Sequence, residues 1–355
     1  MADRVLGSLD ESRERLEGTE RLYKVLGMLN EEHDLYEIHL SLLTEGVLGT
    51  YDSETDEFFL VEDVEREFSL TEERIYVHEY VHFLQDQNYD LKTSLDELEG
   101  TLDERLAFIA LIEGDARIAE ILYMLNNFDE GQMAASQPEP SQALIDAFLA
   151  APRVVQRTYN FPYVEGGRFA ATLQTFSGWE AVDRAHDTPP RSTEHILHPD
   201  RYLNGDDPQE VAMPAVAEIL GEGWELVRRG TLGEFLLQAY MEIDVDPARA
   251  ATAAEGWGGD TFELVVGPDG RSVVALSSLW DAEPDSVEFY DTFLEFTAAR
   301  TGVEWETTDG EVQRTALMVL PDQQIFILGV QQAVIMIFAP DGATLEAVRV
   351  GVIGG

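Results

Sequence analysis

The chain has 355 residues and a formal net charge of −46, from 69 acidic and 23 basic side chains. This charge disfavours nucleic acid and anionic membrane surfaces as partners, because both attract clustered lysine and arginine. Cysteine is absent, which excludes disulfides, thiolate metal sites and cysteine nucleophiles. No apolar run is long enough to cross a bilayer, so we expect no membrane span.

The basic side chains are almost all arginine, because Lys24 and Lys92 are the only lysines. A surface rich in carboxylates suits concentrated salt, where screening removes the repulsion between them. Compositional drift in a GC-rich genome also replaces lysine by arginine, but it does not by itself produce so negative a charge. We therefore expect a salt-adapted protein. The amino terminus has no basic stretch followed by an apolar one, so no signal peptide is expected in the sequence as given.

The first part of the chain is predicted to be helical and to lead into a hairpin. Over residues 1–45 apolar side chains recur near helical spacing between charged ones, which predicts an N-terminal helical segment. At 49–61 a polar, turn-forming run separates two short segments rich in aromatic and β-branched residues. This pattern predicts a β-hairpin.

Two helices are predicted next, each from a capping box. The box at 69–72 begins a helix that runs to about Gln87, and the box at 101–104 begins one that runs to about Asn126. The first of these helices is apolar nearly all round, so we expect it to be buried in the core. The polar run at 129–142 predicts a linker or a lid.

The carboxy-terminal part predicts strands with helices between them. The predicted strands are 262–266, 272–279, 315–320, 325–328 and 333–338, with a helix at 286–300 and a short one at the end. The predicted fold class is therefore α+β. A mostly helical, zincin-like catalytic domain with a small sheet is expected at 46–256, and a C-terminal α/β segment at 257–355.

The motif that indicates a metal-binding and catalytic site is His78-Glu79-Tyr80-Val81-His82. On a helix, positions i and i+4 lie on one face, so both imidazoles can bind the same metal ion. Glu79 lies beside the pair and is placed to take a proton from water. Because burying such groups unpaired is costly, they need a partner. The motif predicts a zinc site, and the alternative is a histidine pair satisfied by hydrogen bonds alone.

Zinc requires a third protein ligand, and Glu113 lies within the apolar stripe of the following predicted helix. A carboxylate in such a stripe is nearly always paired or coordinated. The alternative for Glu113 is a salt bridge with Arg117. Asp115 is the second candidate ligand, and Glu120 is expected to support a ligand or to face solvent. The hairpin at 49–61 would border the site and offer an edge to which an extended peptide can add.

Peptide hydrolysis also needs a group that stabilises the developing oxyanion. Tyr163, which lies near two glycines, and His198 are the candidates, followed by His195. The alternative is that these residues anchor loops. Residues 257–260 are expected to form a tight turn that begins the C-terminal sheet. The remaining histidines are interpreted as surface or packing residues: His33, His39 and His186.

Several stretches of the sequence resemble a known group of proteins. A His-Glu-x-x-His motif followed by a glutamate on the next helix resembles the gluzincin peptidases. Five sequence motifs make the resemblance more specific: HEYVHFLQDQ at 78–87, IEGDA at 112–116, STE at 192–194, LHP at 197–199 and GWGGD at 256–260. Together, over about residues 45–300, these stretches resemble a group of acidic zinc metalloproteins that are often exported and occur in salt-loving microbes and some bacteria.

The resemblance implies that His78, His82 and Glu113 are zinc ligands and that Glu79 is the general base and acid. It also favours an extracytoplasmic location and a peptide or protein substrate. One departure is Arg117, which stands where better-known gluzincins have an acidic residue that orients a ligand histidine. The predicted function is zinc-dependent hydrolysis of peptide bonds.

Three alternatives to this function remain at the level of the sequence. The first is a non-catalytic zincin-fold protein with a binding or structural role in the cell envelope. The others are a zinc hydrolase with a different substrate and an acidic interaction protein without metal. The sequence makes no prediction of the oligomeric state.

Overall fold

The computed structural model describes residues 12–46, 49–52, 55, 57–60, 69–98, 101–310 and 312–354. The described helices are α1 Arg13–Leu26, α2 Leu35–Gly46, α3 Leu70–Tyr89, α4 Leu91–Glu97, α5 Asp103–Asn127, α6 Glu130–Ala135, α7 Gln142–Ala150, α8 Arg153–Ser177, α9 Trp179–Asp187, α10 Thr193–Leu197, α11 Pro199–Asn204, α12 Val216–Leu220, α13 Gly233–Met241, α14 Pro247–Ala254, α15 Glu283–Thr301 and α16 Gly342–Ile353. The described strands are β1 Gly49–Asp52, β2 Glu57–Leu60, β3 Glu225–Gly230, β4 Trp257–Val266, β5 Ser272–Trp280, β6 Glu306–Asp309, β7 Gln313–Val319, β8 Gln324–Val330 and β9 Ala333–Ala339. None of these helices is both long enough and apolar enough to cross a membrane.

The hairpin and the first capping box are confirmed. Strand β1 pairs antiparallel with β2, with Tyr51 opposite Phe58. The backbone N–H of Glu72 donates to the Ser69 hydroxyl at 3.2 Å, and the Ser69 N–H donates to the Glu72 carboxylate at 2.6 Å. These bonds satisfy backbone donors that the first turn would otherwise leave unpaired, so the helix of the motif begins where the sequence predicts.

The prediction that α3 is a buried apolar helix is wrong. Two of its apolar side chains, Tyr76 and Tyr80, are 40% and 42% exposed, and both pack against Phe58 of the hairpin. An apolar composition all round a helix does not determine which side faces the protein. Here the inward side carries polar groups that bond to other polar groups. The buried residues of α3 are Glu72, Arg74, Glu79 and Gln85.

One further local prediction is wrong, and the structure adds detail to another. Helix α5 begins at Asp103 without a side-chain cap, and the Thr101 hydroxyl donates to the carbonyl oxygen of Leu98 instead. The predicted linker at 129–142 contains helix α6, which Asp129 caps by accepting a hydrogen bond from a backbone N–H. Residues 136–141 then connect α6 to α7, so the predicted linker contains a short capped helix.

The carboxy-terminal strands of the described chain form a seven-stranded antiparallel sheet in the order β3-β4-β5-β9-β8-β7-β6. The five predicted strands correspond to β4, β5, β7, β8 and β9. The sequence does not predict β3 and β6, the two edge strands. Both are largely exposed, so they lack the alternation that marks a strand with one buried face. Residues 257–260, expected to form a tight turn, are the beginning of β4.

Helices cover both faces of this sheet, so the protein is of mixed α/β architecture. One face packs against α1, α13, α14 and α15, around Phe262, Phe293 and Phe338. The other face packs against α12 and α16. A separate core joins α5, α8 and α9 to Phe235 of α13. Helix α3 packs against α5 beside this second core, and that contact positions the motif.

The predicted boundary between 256 and 257 falls between β3 and β4, which pair with each other. Side chains of α1 lie in the same core as those of the sheet. One buried carboxylate also joins the helical part to the sheet. Asp260 of β4 accepts from two backbone N–H groups at the start of α13.

Candidate metal centre

Three potential ligand atoms converge where α3 packs against α5. His78 and His82 lie one turn apart on α3, and their Nε2 atoms are 3.2 Å from each other. Glu113 Oε2 of α5 lies 3.2 Å from His78 Nε2 and 3.6 Å from His82 Nε2. The three side chains are 14–19% exposed, so the group is sheltered but still reachable from solvent.

The spacing and chemistry of these atoms fit zinc. Ligand atoms about 2.0–2.1 Å from a tetrahedral zinc ion lie about 3.3 Å from one another. Two imidazoles and one carboxylate form a donor set that zinc uses when a fourth position is left for water or substrate. Among the described residues, His78, His82 and Glu113 are the one group of potential metal ligands whose donor atoms lie within 4.8 Å of one another. Asp115, the second candidate ligand, is outside this group.

Glu120 supports the ring of His78. Its Oε2 atom lies 3.3 Å from His78 Nδ1, and its Oε1 atom accepts hydrogen bonds from Arg74 and Arg117. Glu120 is 3% exposed, so two guanidinium groups hold a buried carboxylate behind the histidine. Arg117 pairs with Glu120 at 3.0 Å, so the alternative salt bridge with Glu113 is not formed. The acidic residue that the resemblance predicts at position 117 is absent, but Glu120, three residues later, lies beside His78.

His82 is supported by an amide. Its Nδ1 atom lies 2.9 Å from Gln85 Oε1, and Gln85 Nε2 donates to Asp115 Oδ2 at 2.8 Å. Asp115 also lies 3.1 Å from His186 Nε2. His186, predicted to be a surface or packing residue, therefore belongs to the surroundings of the candidate site. No pattern in the sequence indicates this, since His186 and Asp115 are 71 positions apart.

The pKa values of the three candidate ligands depend on one another. Burial alone would raise the pKa of Glu113, but His82 and His78 outweigh burial and lower it. Burial would lower the pKa of His78, but Glu113 and Glu120 outweigh burial and raise it to about 10. The pKa of His82 is also raised, because Glu113 outweighs the effect of burial. These directions favour an ionised Glu113 and protonated histidines, so a metal ion would have to displace protons from the histidines to bind.

Glu79 directs its carboxylate toward the hairpin. Its Oε2 atom accepts a hydrogen bond from the Tyr51 N–H of β1 at 2.8 Å. Burial raises the pKa of this carboxyl group, against the lowering effect of His82 and His78. A carboxyl group with a raised pKa beside the candidate ligands is suited to take up and return a proton.

The predicted oxyanion candidates lie in different places. Tyr163 of α8 is 44% exposed, and its hydroxyl oxygen lies 3.4 Å from Glu113 Oε1. The negative charge of Glu113, together with burial, raises the pKa of Tyr163, so this hydroxyl keeps its proton. His198 Nε2 lies instead 2.9 Å from Glu234 Oε1, and His195 bonds to a backbone carbonyl oxygen. Tyr163 is therefore part of the candidate centre, whereas the described contacts of His198 lie elsewhere.

Two glycines bring Glu113 and Tyr163 together by allowing α5 and α8 to pack closely. A Cβ atom on Gly114 would lie 2.1 Å from the carbonyl oxygen of Gly166. A Cβ atom on Gly166 would lie 2.0 Å from the carbonyl oxygen of Ala110. No residue with a side chain fits such an approach of two backbones. The glycines beside Glu113 and after Tyr163 thus set the distance between the two helices.

Comparison with known proteins gives one family match, and it lies outside the candidate centre. Residues 224–349 match a family described as a domain of unknown function (DUF8575). This segment contains strands β3 to β9 and helices α13 to α15, but none of the three candidate ligands. No curated protein and no solved structure matches the chain.

Proposed function

We propose that the chain is a zinc-dependent hydrolase of peptide bonds, with His78, His82 and Glu113 as the metal ligands. The observation that carries this proposal is the convergence of their three donor atoms, which lie 3.2–3.6 Å from one another. Three protein ligands leave a position for water or substrate, as in catalytic zinc sites, whereas structural zinc sites are closed by a fourth protein ligand.

Glu79 is the proposed general base and acid. Zinc bound at the site would polarise the substrate carbonyl and make water more acidic. Glu79 would take a proton from the water whose oxygen attacks the carbonyl carbon. It would then give a proton to the amine nitrogen as the carbon–nitrogen bond breaks. The hydrogen bond from the Tyr51 N–H holds this carboxylate in place.

Tyr163 is the better-supported candidate for stabilising the oxyanion. Its hydroxyl keeps its proton, is partly exposed and lies beside Glu113. The assignment of His198 to this role has less support, because its ring bonds to Glu234. An extended peptide is the proposed substrate. It would lie beside β1, whose Tyr51 N–H already points toward Glu79.

Metal content is the first test of this proposal. The chain, purified without chelator in concentrated KCl, should contain about one zinc ion, measured by elemental analysis. His82→Ala should lose the metal, because only two of the three proposed protein ligands would remain. His33→Ala is the matched control, since His33 accepts a hydrogen bond from the exposed Asn30 N–H, and it should keep its zinc. Equal zinc content in His82→Ala and in the wild type would contradict the proposed metal site.

Removing the proposed base is the second test. Glu79→Gln keeps the size of the side chain and its ability to accept from Tyr51, so it should bind zinc normally. We expect its kcat/KM on a mixture of fluorogenic peptides to fall by about 10²–10⁴-fold. Glu73→Gln, on the same helix and bonded to the Tyr123 hydroxyl, is the control and should stay active.

The outcomes of these two tests separate the alternatives. Full activity of Glu79→Gln would show that the mechanism is wrong while leaving the metal site intact. Zinc binding by a wild type that cleaves no peptide would favour a non-catalytic zincin-fold protein or a hydrolase with another substrate. Absence of zinc would favour the interaction protein without metal.

A further inference from the structure

A chain of hydrogen bonds leads from His82 into the helical core. His82 Nδ1 lies 2.9 Å from Gln85 Oε1. Gln85 Nε2 donates to the carbonyl oxygen of Ile112 at 3.0 Å and to Asp115 Oδ2 at 2.8 Å. The same Oδ2 atom lies 3.1 Å from His186 Nε2. Gln85 is 2% exposed, so water has little access to this amide.

The two acceptors that Gln85 Nε2 contacts determine how the Gln85 amide is oriented. A carbonyl oxygen and an ionised carboxylate accept hydrogen bonds but cannot donate them. Both N–H groups of Gln85 are therefore committed, one to Ile112 and one to Asp115. The remaining atom of the amide, Oε1, can only accept, and it faces His82 Nδ1. When the His82 ring is neutral, its hydrogen must therefore lie on Nδ1, which leaves the lone pair of Nε2 available to a metal ion held together with Glu113 and His78.

His186 keeps Asp115 in its role as an acceptor. Its ring stacks on Tyr89, with centroids 4.4 Å apart and an interplanar angle of 9°. Its Nδ1 atom is buried and has no hydrogen-bond partner within the described part of the chain. A buried N–H without a partner is costly, so the ring hydrogen belongs on Nε2, where it is donated to Asp115.

We infer that Gln85, Asp115 and His186 are positioning residues that fix the tautomer of His82 and present its Nε2 lone pair to the metal. The inference rests on the proposed function, because it assigns His82 as a zinc ligand. It also distinguishes the two histidines, since His78 is supported by the charged carboxylate of Glu120 and His82 by a neutral amide.

Zinc affinity tests the role of these residues without reference to activity. Gln85→Leu removes the acceptor for the ring hydrogen, and we expect the dissociation constant for zinc to increase by about 10–100-fold. Asp115→Asn should increase the dissociation constant for zinc by less. The new amide can also donate a hydrogen bond, so the Gln85 amide would no longer be restricted to one orientation. His186→Phe keeps the stacking on Tyr89 but removes the donor, and should have the smallest effect. A competition titration of the full chain against a chromophoric chelator measures all three.

A control separates positioning from general loss of stability. Ser278→Ala removes a buried hydrogen bond to the carbonyl oxygen of Val334 in the sheet. It should lower the melting temperature while leaving zinc affinity unchanged. A Gln85→Leu variant that binds zinc as tightly as the wild type would overturn the inference.

The tautomer itself is the readout that a merely structural role would not change. Nitrogen NMR of the histidine-labelled chain reports which ring nitrogen carries the hydrogen. We expect Nδ1–H for His82 in the wild type and loss of this preference in Gln85→Leu. If the wild type binds no zinc, the proposed function fails, but the spectrum of the metal-free chain, recorded at a pH above the raised pKa of His82 so that the ring is neutral, still decides the inference. A hydrogen on Nε2 of His82 would contradict it, whereas one on Nδ1 would support it.

Discussion

His78 lies between two carboxylates, with Glu113 Oε2 3.2 Å from its Nε2 atom and Glu120 Oε2 3.3 Å from its Nδ1 atom. Both outweigh the effect of burial and raise the pKa of His78 to about 10. A histidine binds zinc only when it is neutral, so zinc and a proton compete for this ring. We expect zinc affinity to increase with pH through the neutral range, by up to about tenfold per pH unit for each proton released.

A competition titration at several pH values measures this dependence. Glu120→Gln keeps an acceptor beside His78 but removes the charge, so it should lower the pKa of His78 and make the dependence on pH less steep. Glu218→Gln, at an exposed position on α12, is the control and should leave the slope unchanged. A zinc affinity that is independent of pH in the wild type would contradict the prediction.

The candidate ligands could be predicted from the sequence because their signals are local. The motif histidines follow from their spacing, and Glu113 follows from a carboxylate within an apolar stripe. The supporting residues depend on how helices cross, and no local pattern indicates that Asp115 meets His186. His198 illustrates the opposite case. Its side chain is chemically suited to a site, but the fold pairs it with Glu234.

Among the elements, the crossing of α5 and α8 is the contact most sensitive to a small change. Gly166→Ala would place a Cβ atom 2.0 Å from the carbonyl oxygen of Ala110, so the two backbones must separate. We expect the free energy of unfolding to fall by about 1–3 kcal/mol, as for other cases of overpacking. Zinc affinity should fall as well, because α5 carries Glu113.

Thermal or denaturant unfolding, together with the chelator titration, checks this prediction. Gly18→Ala on α1 is the matched control, since no atom lies within 4 Å of the added Cβ position. It should be neutral or stabilise the protein by up to about 1 kcal/mol, because alanine favours a helix over glycine. A Gly166→Ala variant with wild-type stability would show that the helices can move apart at little cost.

The helices and central strands could be predicted from the sequence more fully than the edge strands or the orientation of α3. Ser69 and Glu72 specify a helix start through bonds within one turn, so the signal is contained in four residues. Strands β3 and β6 owe their conformation to the neighbours that they pair with, because their own side chains are mostly exposed. The inward side of α3 is polar because it contacts charged side chains and amide groups of other elements. A hydrophobic pattern cannot indicate that arrangement.

For the molecule as a whole, a net charge of −46 predicts a strong dependence of stability on salt. The distance over which charges act shrinks from about 30 Å at 0.01 M salt to about 3 Å at 1 M, so repulsion across the surface is largely removed. We expect the melting temperature and the free energy of unfolding to rise with KCl over this range.

Thermal unfolding across a series of KCl concentrations measures this effect. A variant that combines Glu97→Lys and Asp183→Lys, at two exposed positions on α4 and α9, should be more stable than the wild type at low salt. The difference should shrink as salt is added, since screening removes the repulsion that the substitutions relieve. A stability that is unaffected by salt would contradict this prediction.

The segment that matches the family, 224–349, does not contain everything that covers its sheet. Helix α1 lies outside this segment yet contributes to the same core. Tyr240, Arg300 and Gln323 of the segment donate hydrogen bonds to backbone carbonyl oxygens at and just after the end of α1. A protein that carried this segment alone would leave open to water the part of this apolar core that α1 covers. Expressed by itself, the segment would therefore need another apolar surface in place of α1.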